Sequence, residues 1–179
     1  MSQKVLLNSK EVNITLHRLA CQLIENHNDF SETVLIGLQP RGTFLAQRLA
    51  KMLTEAYKIK DLQLGLLDIT FFRDDFRRGS KPLTANTTEI DFIVEDKNVV
   101  FVDDVLYTGR SIRSALTAIQ SFGRPRHIEL LTLIDRRFSR HLPIQPNYKG
   151  RQVDTINEER VVVNWVENGG QDSVLLLSN

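Results

Sequence analysis

The 179-residue chain has the length of a single domain, and its 41% apolar and 25% charged residues exclude the disordered and fibrous classes. With 23 basic and 22 acidic residues the net charge is +1, which excludes a surface wholly devoted to nucleic acid but allows a local basic face. One cysteine, Cys21, excludes an internal disulfide framework and Cys-rich zinc sites, and a reducing cytoplasm is the expected location. No apolar run approaches membrane-spanning length, and the first residues carry no signal-peptide pattern.

Leu16, Leu19, Ala20, Leu23 and Ile24 share one face of a helix predicted over 9–28, with Asn8 and Glu11 at capping spacing. Beside that stripe, Cys21 is expected as a buried or half-buried inert thiol. His27 and His127 have no second ligand at metal spacing and read as surface histidines. Residues 33–38 form a β-branched run typical of a buried strand. Gln39-Pro40-Arg41-Gly42 ends it, and Phe44, Leu45, Leu49, Met52 and Leu53 mark a second helix. A strand is predicted over 62–72. The charged, aperiodic stretch 73–89 that follows has the length of a lid or binding loop, with Arg77, Arg78 and Lys81 as candidate anion contacts.

Asn98-Val99-Val100-Phe101-Val102 is the clearest buried strand, followed by a helix over 112–122 that stops at Gly123. Residues 128–134 form another strand. Strands alternating with helices predict an α/β fold with right-handed crossovers and a mostly parallel central sheet flanked by helices. Beyond Asp135 the pattern changes to loop and then strands at 161–166 and 174–177, a small C-terminal hood over about 136–179 of one single domain. Trp165 is expected in the core or at a subunit contact.

The chemistry concentrates in Val102-Asp103-Asp104-Val105-Leu106-Tyr107-Thr108-Gly109-Arg110-Ser111. A strand delivers two carboxylates to its carboxyl end, where open α/β sheets bind ligands. A short turn and a helix start follow, whose unpaired N–H groups suit a phosphate. Thr108 and Ser111 add hydroxyls, and Gly109 lets the backbone approach closely. Two acids beside a phosphate cradle suit a sugar phosphate. Neither a Gly-x-x-x-x-Gly-Lys loop nor a Gly-x-Gly-x-x-Gly turn is present.

This segment resembles the phosphoribosyl-pyrophosphate (PRPP) signature of type I phosphoribosyltransferases. Together with Gly37–Gly42, Asp68–Asp75, Gly123-Arg124-Pro125, Ile134-Asp135-Arg136 and Leu142-Pro143-Ile144, it makes nearly the whole chain similar to the PyrR family. Those proteins are pyrimidine operon regulators with uracil phosphoribosyltransferase activity. The resemblance implies transfer of ribose 5-phosphate from PRPP to uracil, giving UMP and pyrophosphate, with Mg²⁺ as counter-ion. Asp103 and Asp104 would then hold the ribose hydroxyls, directly or through the hydrated metal. Tyr107, Thr108, Gly109, Arg110 and Ser111 would form the 5′-phosphate loop, and Arg41, Gly42 and Arg73 would face pyrophosphate. Relatives carry a non-proline cis peptide in the pyrophosphate loop, expected here at Pro40–Arg41.

By the same resemblance, base recognition falls near Ile134, Asp135, Arg136 and Arg137. Purine-specific relatives place an acid just before Thr-Gly, so Tyr107 speaks for uracil over hypoxanthine or guanine. Implied partners are PRPP, uracil, UMP and UTP, the messenger-RNA leader of a pyrimidine operon, and further copies of the chain as a homodimer or homotetramer. RNA contacts map to His17, Arg18, Arg140 and Arg151, while Cys21 and Gln145 depart from the family pattern. A regulator with little turnover is the alternative to an enzyme. Arg18, Arg136, Arg137, Arg140, His141 and Arg151 would build one basic face.

Overall fold

A computed structural model describes residues 2–73, 85–155 and 159–178. Its elements are β1 (Ser2–Leu7), α1 (Ser9–His27), β2 (Thr33–Gln39), α2 (Gly42–Glu55), β3 (Gln63–Asp68), β4 (Asn98–Leu106), α3 (Arg110–Ile119), β5 (His127–Arg137), β6 (Tyr148–Asp154), β7 (Arg160–Asn164) and β8 (Ser173–Ser178). Helix α1 starts as its sequence dictates. The Asn8 side chain accepts from Glu11 N at 3.0 Å and the Glu11 carboxylate accepts from Asn8 N at 2.8 Å, two orphan donors satisfied reciprocally.

Five strands pair in parallel in the order β3-β2-β4-β5-β6. Alternation along each strand divides the core in two. Leu35, Val100, Val102, Leu131 and Leu133 pack under α1 and α2. Val34, Ile36, Val99, Phe101 and Leu130 meet Ile112, Ala115 and Ile119 of α3 on the opposite face. Among the described residues no helix is long and apolar enough to cross a membrane.

Several expectations shift. The strand expected over 62–72 ends at Asp68, because Asp68 Oδ1 accepts from Thr70 N and Thr70 Oγ1 (3.0 and 2.6 Å) and a 3₁₀ turn, Thr70–Phe72, follows. The cis peptide lies at Gln39–Pro40, not Pro40–Arg41; a tertiary X–Pro amide carries only a small cis penalty, whereas a non-proline bond carries several-fold more. Cys21 is exposed, with Sγ 3.3 Å from the Tyr57 hydroxyl, because it sits just outside the apolar stripe. His127 is exposed, but the His27 side chain is only 5% exposed. Its Nε2 lies 3.1 Å from both Glu129 Oε2 and the Tyr148 hydroxyl, and its Nδ1 lies 3.0 Å from Thr33 Oγ1. The polar ring is therefore satisfied at the amino-terminal edge of the sheet rather than solvated.

The hood is a three-stranded antiparallel sheet, β1-β8-β7. It draws its edge strand from the amino terminus, and β6, inside the stretch expected to form the hood, instead completes the central sheet. Arg48 of α2 fastens the hood. It donates to both carboxylate oxygens of Glu167 (2.8 and 2.6 Å) and both of Asp172 (2.6 and 2.8 Å), with Cζ 4.6 Å from the ring of Trp165, itself buried in the core. The hydrogen bonds from Arg48 hold the Glu167 and Asp172 carboxyls below their ordinary range. Arg48→Ala should lower stability at pH 7 by about 1–3 kcal/mol, a partly solvated ionic cluster plus one cation–π contact. Depressed carboxylate values give stability that is present above the unfolded values near ~4 and lost as pH falls through the folded ones. Urea titrations of wild type and variant should therefore differ most at pH 7, and in acid the difference should shrink to what the contact with Trp165 contributes.

Candidate active site

Strand β2 has β3 on one side and β4 on the other, so the chains leaving β2 and β4 diverge, one through α2 and the other through α3 on the opposite face. Their outgoing loops part at the carboxyl edge, where such sheets hold ligands. A cavity of about 800 Å³ opens there, lined by Arg41, Arg73, Asp103, Asp104 and residues 105–112.

Asp103 and Asp104 enter it at the end of β4, 9% and 5% exposed, with Asp103 Oδ1 accepting from Asp104 N at 2.9 Å. Burial pushes the Asp103 carboxyl well above the usual range and the neighbouring Asp104 adds to the rise. Burial also raises Asp104, against the pull of the Arg41 guanidinium. A carboxylate pair held at such cost favours an incoming cation or hydroxyl donor. No cluster of three or more His, Cys, Asp or Glu occurs among the described residues. Two hard oxygen donors therefore fit a divalent cation that draws its other ligands from substrate and water.

Beyond the acids, Gly109 takes φ +90° and α3 begins, its first backbone bond running from Arg113 N to Gly109 O at 3.0 Å. The first-turn amides ahead of that bond have no intrahelical acceptor, and residues 109–112 line the cavity, a helix start of the kind that suits an anion. Arg41, exposed, and Gly42, buried, stand across the crevice where α2 begins. Arg73 lines the cavity just after the 3₁₀ turn. Arg77, Arg78 and Lys81, and residues 74–84 of the expected lid, lie outside the described residues.

Of the four residues expected to read the base, only Arg136 lines the cavity. Strand alternation sends Ile134 and Arg136 one way and Asp135 and Arg137 the other. Ile134 is swallowed by the core, and Arg136, two residues on, clears it. Its Nε donates to Thr155 Oγ1 and its Nη2 to the Glu159 carbonyl, both at 2.9 Å, and Cζ sits 3.9 Å from the Tyr107 ring. Arg137 pairs outside with Asp154, and Asp135 pairs with Arg140.

The six residues expected on one basic face are divided. Arg136 is buried in the cavity wall and Arg140 turns inward to Asp135 and the Tyr107 carbonyl. Arg18 and Arg151 stay exposed at β6, bonded to the Lys149 and Gly150 carbonyls and to the Leu6 carbonyl respectively. His17 is exposed, 3.4 Å from the Tyr57 hydroxyl.

Four contributors escape a linear reading. Arg160 and Val161 of β7 reach the cavity from the hood, visible only once the fold is known. Asp68 also accepts from Asn86 N at 3.0 Å, and the Gln39 amide donates to the Thr87 carbonyl at 2.7 Å, so both tie the returning end of the 73–89 stretch to the sheet. An Asp-x-Thr at a strand end was a legible turn signal for the first of these.

A phosphoribosyl transferase domain family matches residues 2–168. The Bifunctional protein PyrR of Gloeothece citriformis is 45% identical over 172 residues, covering 96% of both chains. Its namesake in Nostoc punctiforme is 42% identical over 182 residues and covers all of both. A crystal structure of a hypoxanthine-guanine phosphoribosyltransferase from Bacillus anthracis shares the fold at TM-score 0.72 and 17% identity, over 97% of this chain and 98% of that one. Identity at this level over nearly the whole of both chains, together with the matching domain family and two buried acids beside the start of α3 at the sheet's switch point, makes this chain a member of the PyrR family of type I phosphoribosyltransferases.

Proposed function

We propose that the protein transfers ribose 5-phosphate from PRPP to uracil. The observation that carries this reading is the buried Asp103–Asp104 pair set between the start of α3 and Arg41. Asp103 and Asp104 accept from the ribose 2- and 3-hydroxyls, and residues 107–111 enclose the 5-phosphate. Arg41 and Arg73 neutralise the pyrophosphate. The bond from C1 to the pyrophosphate oxygen breaks, the bond from C1 to uracil N1 forms, and the N1 proton passes to solvent. Positioning and charge neutralisation supply the acceleration, with no covalent enzyme intermediate. Asp103 and Asp104 would hold Mg²⁺ through substrate or water, and the ion would supply charge neutralisation at the leaving group. Arg136, braced from behind and stacked on Tyr107, turns donors toward the carbonyls of the base.

The test is product formation from PRPP and Mg²⁺ with uracil, hypoxanthine, guanine or orotate. UMP formed with uracil, and no nucleotide with the purines, is expected. Turnover of a purine in preference to uracil would overturn the reading.

A regulatory role is favoured by one further observation: Arg18, Lys149 and Arg151 lie exposed together along β6. In this role UMP or UTP occupies the same cavity and the leader RNA of the pyrimidine operon binds that edge. Filter binding of this RNA should tighten with UMP and weaken steeply with salt. Affinity indifferent to UMP would eliminate the role.

A further inference from the structure

After β5 the chain crosses back over the start of α3, and residues 138–144 fasten it there. Arg140 donates through Nη1 to the Tyr107 carbonyl and through Nη2 to Asp135 Oδ1. The His141 N–H donates to the Thr108 carbonyl at 3.0 Å. Leu142 and Ile144 close over Gly109, where an added Cβ would stand 3.3 Å from Ile144 Cδ1 and 3.5 Å from Leu142 Cβ. The turn that would enclose a phosphate is thus gripped at Tyr107, Thr108 and Gly109 by one short segment.

The electrostatics make Arg140 the critical member. The Asp135 side chain is 5% exposed and its other partner, Gln152 Nε2, is 3.4 Å away. Without Arg140 a buried carboxylate and a backbone carbonyl would both present negative charge beside a turn meant for a dianion. One guanidinium answers both, because its planar fork reaches two acceptors at once. Both terminal nitrogens are spent inside the chain, which is why this arginine does not join the exposed ones at β6.

We propose that Arg140 is a positioning residue for the 5′-phosphate turn 107–111, acting through the Tyr107 carbonyl and Asp135 without touching substrate. The proposal rests on the phosphoribosyl reading of the cavity. It deepens that reading, because it says which ligand group should sense Arg140: the phosphate and not the base or sugar.

Calorimetric titration of UMP and uridine against the full chain separates the possibilities. Wild type should prefer UMP strongly. Arg140→Ala should cut the UMP-over-uridine ratio by about tenfold or more by weakening UMP alone, as expected when a charge-assisted pair that orders a binding turn is removed. The PRPP KM should rise in step while kcat changes little. Arg140→Lys, which keeps the charge but loses the fork, should fall between. A wild-type ratio in Arg140→Ala, or equal loss of both ligands, overturns the proposal. Should Arg140→Ala fail to fold, Arg140→Lys decides by the same ratio: reduced, it supports the proposal; unchanged, it overturns it. A wild-type protein indifferent to the phosphate would instead sink the underlying reading, before any variant is made.

Discussion

Asp104→Asn is expected to abolish most UMP formation, by about 10²-fold or more, while leaving the protein at least as stable as wild type at neutral pH. The two halves of this expectation come from one fact. Asp103 and Asp104 are buried side by side with folded-state values raised above those of a free carboxyl, by burial first in each case. A group whose folded value is raised binds its proton more tightly in the native state. Its favourable contribution is therefore present in acid and lost as pH rises through the folded value. Wherever the pair carries its charges it works against the fold. Asparagine keeps the shape and can still accept a backbone hydrogen bond, but it removes one charge. Thermal melts across pH 5 to 8 should show the variant gaining on wild type as pH rises. PRPP with Mg²⁺ should stabilise wild type and not the variant. A variant that loses activity and stability together would assign Asp104 a structural role.

The same residues show why part of this protein could be read from its sequence and part could not. The β4 segment is legible because its β-branched and aromatic run is short, apolar and bounded by charged residues, as a buried strand is, and the structure pairs it on both sides. The capping pair Asn8 and Glu11 is legible because a helix start is a local event. β1 and β6 are not. β6 buries only Tyr148 and Val153, the rest of its side chains being charged, polar or glycine, and what makes it a strand is its pairing with β5. β1 buries only Leu6 and Leu7 and depends on β8, at the far end of the chain. Edge strands owe their existence to distant backbone, and no local pattern announces that. The arginines fail for a related reason. Arg18, Arg136, Arg137 and Arg140 look alike in sequence, and only the direction in which each leaves the backbone separates an exposed cation, a cavity wall, a surface pair and a strap.

Among the described glycines, Gly42→Ala should be the most damaging substitution. Gly42 is the first residue of α2 and is buried against β4, where a Cβ would stand 2.2 Å from the Val102 carbonyl oxygen and 3.1 Å from Asp103 Cα. Both are backbone atoms of a strand paired on each side, Val102 with Gly37 of β2 and with Leu131 of β5, so β4 has nowhere to go. α2 must retreat instead, and Leu45, Ala46, Leu49 and Leu53, all fully buried, retreat with it. Helix propensity favours the substitution by about 1 kcal/mol, but overpacking against fixed backbone costs about 3 kcal/mol or more, so the steric effect wins. The net loss of about 2 kcal/mol is, for a chain of this length, a fall in Tm of about 4–8 °C. Activity should fall further than stability, because Arg41 rides on the displaced helix start and the acids sit on the strand it leaves; a shift of ~1 Å between reacting groups costs about 10²-fold. Gly170→Ala is the control. A Cβ there meets nothing closer than 3.8 Å, and its effect should stay within about 0.5 kcal/mol. Equal melting temperatures for the two variants would mean that α2 does not press on β4 as drawn, and that the crevice between them is held open by something else.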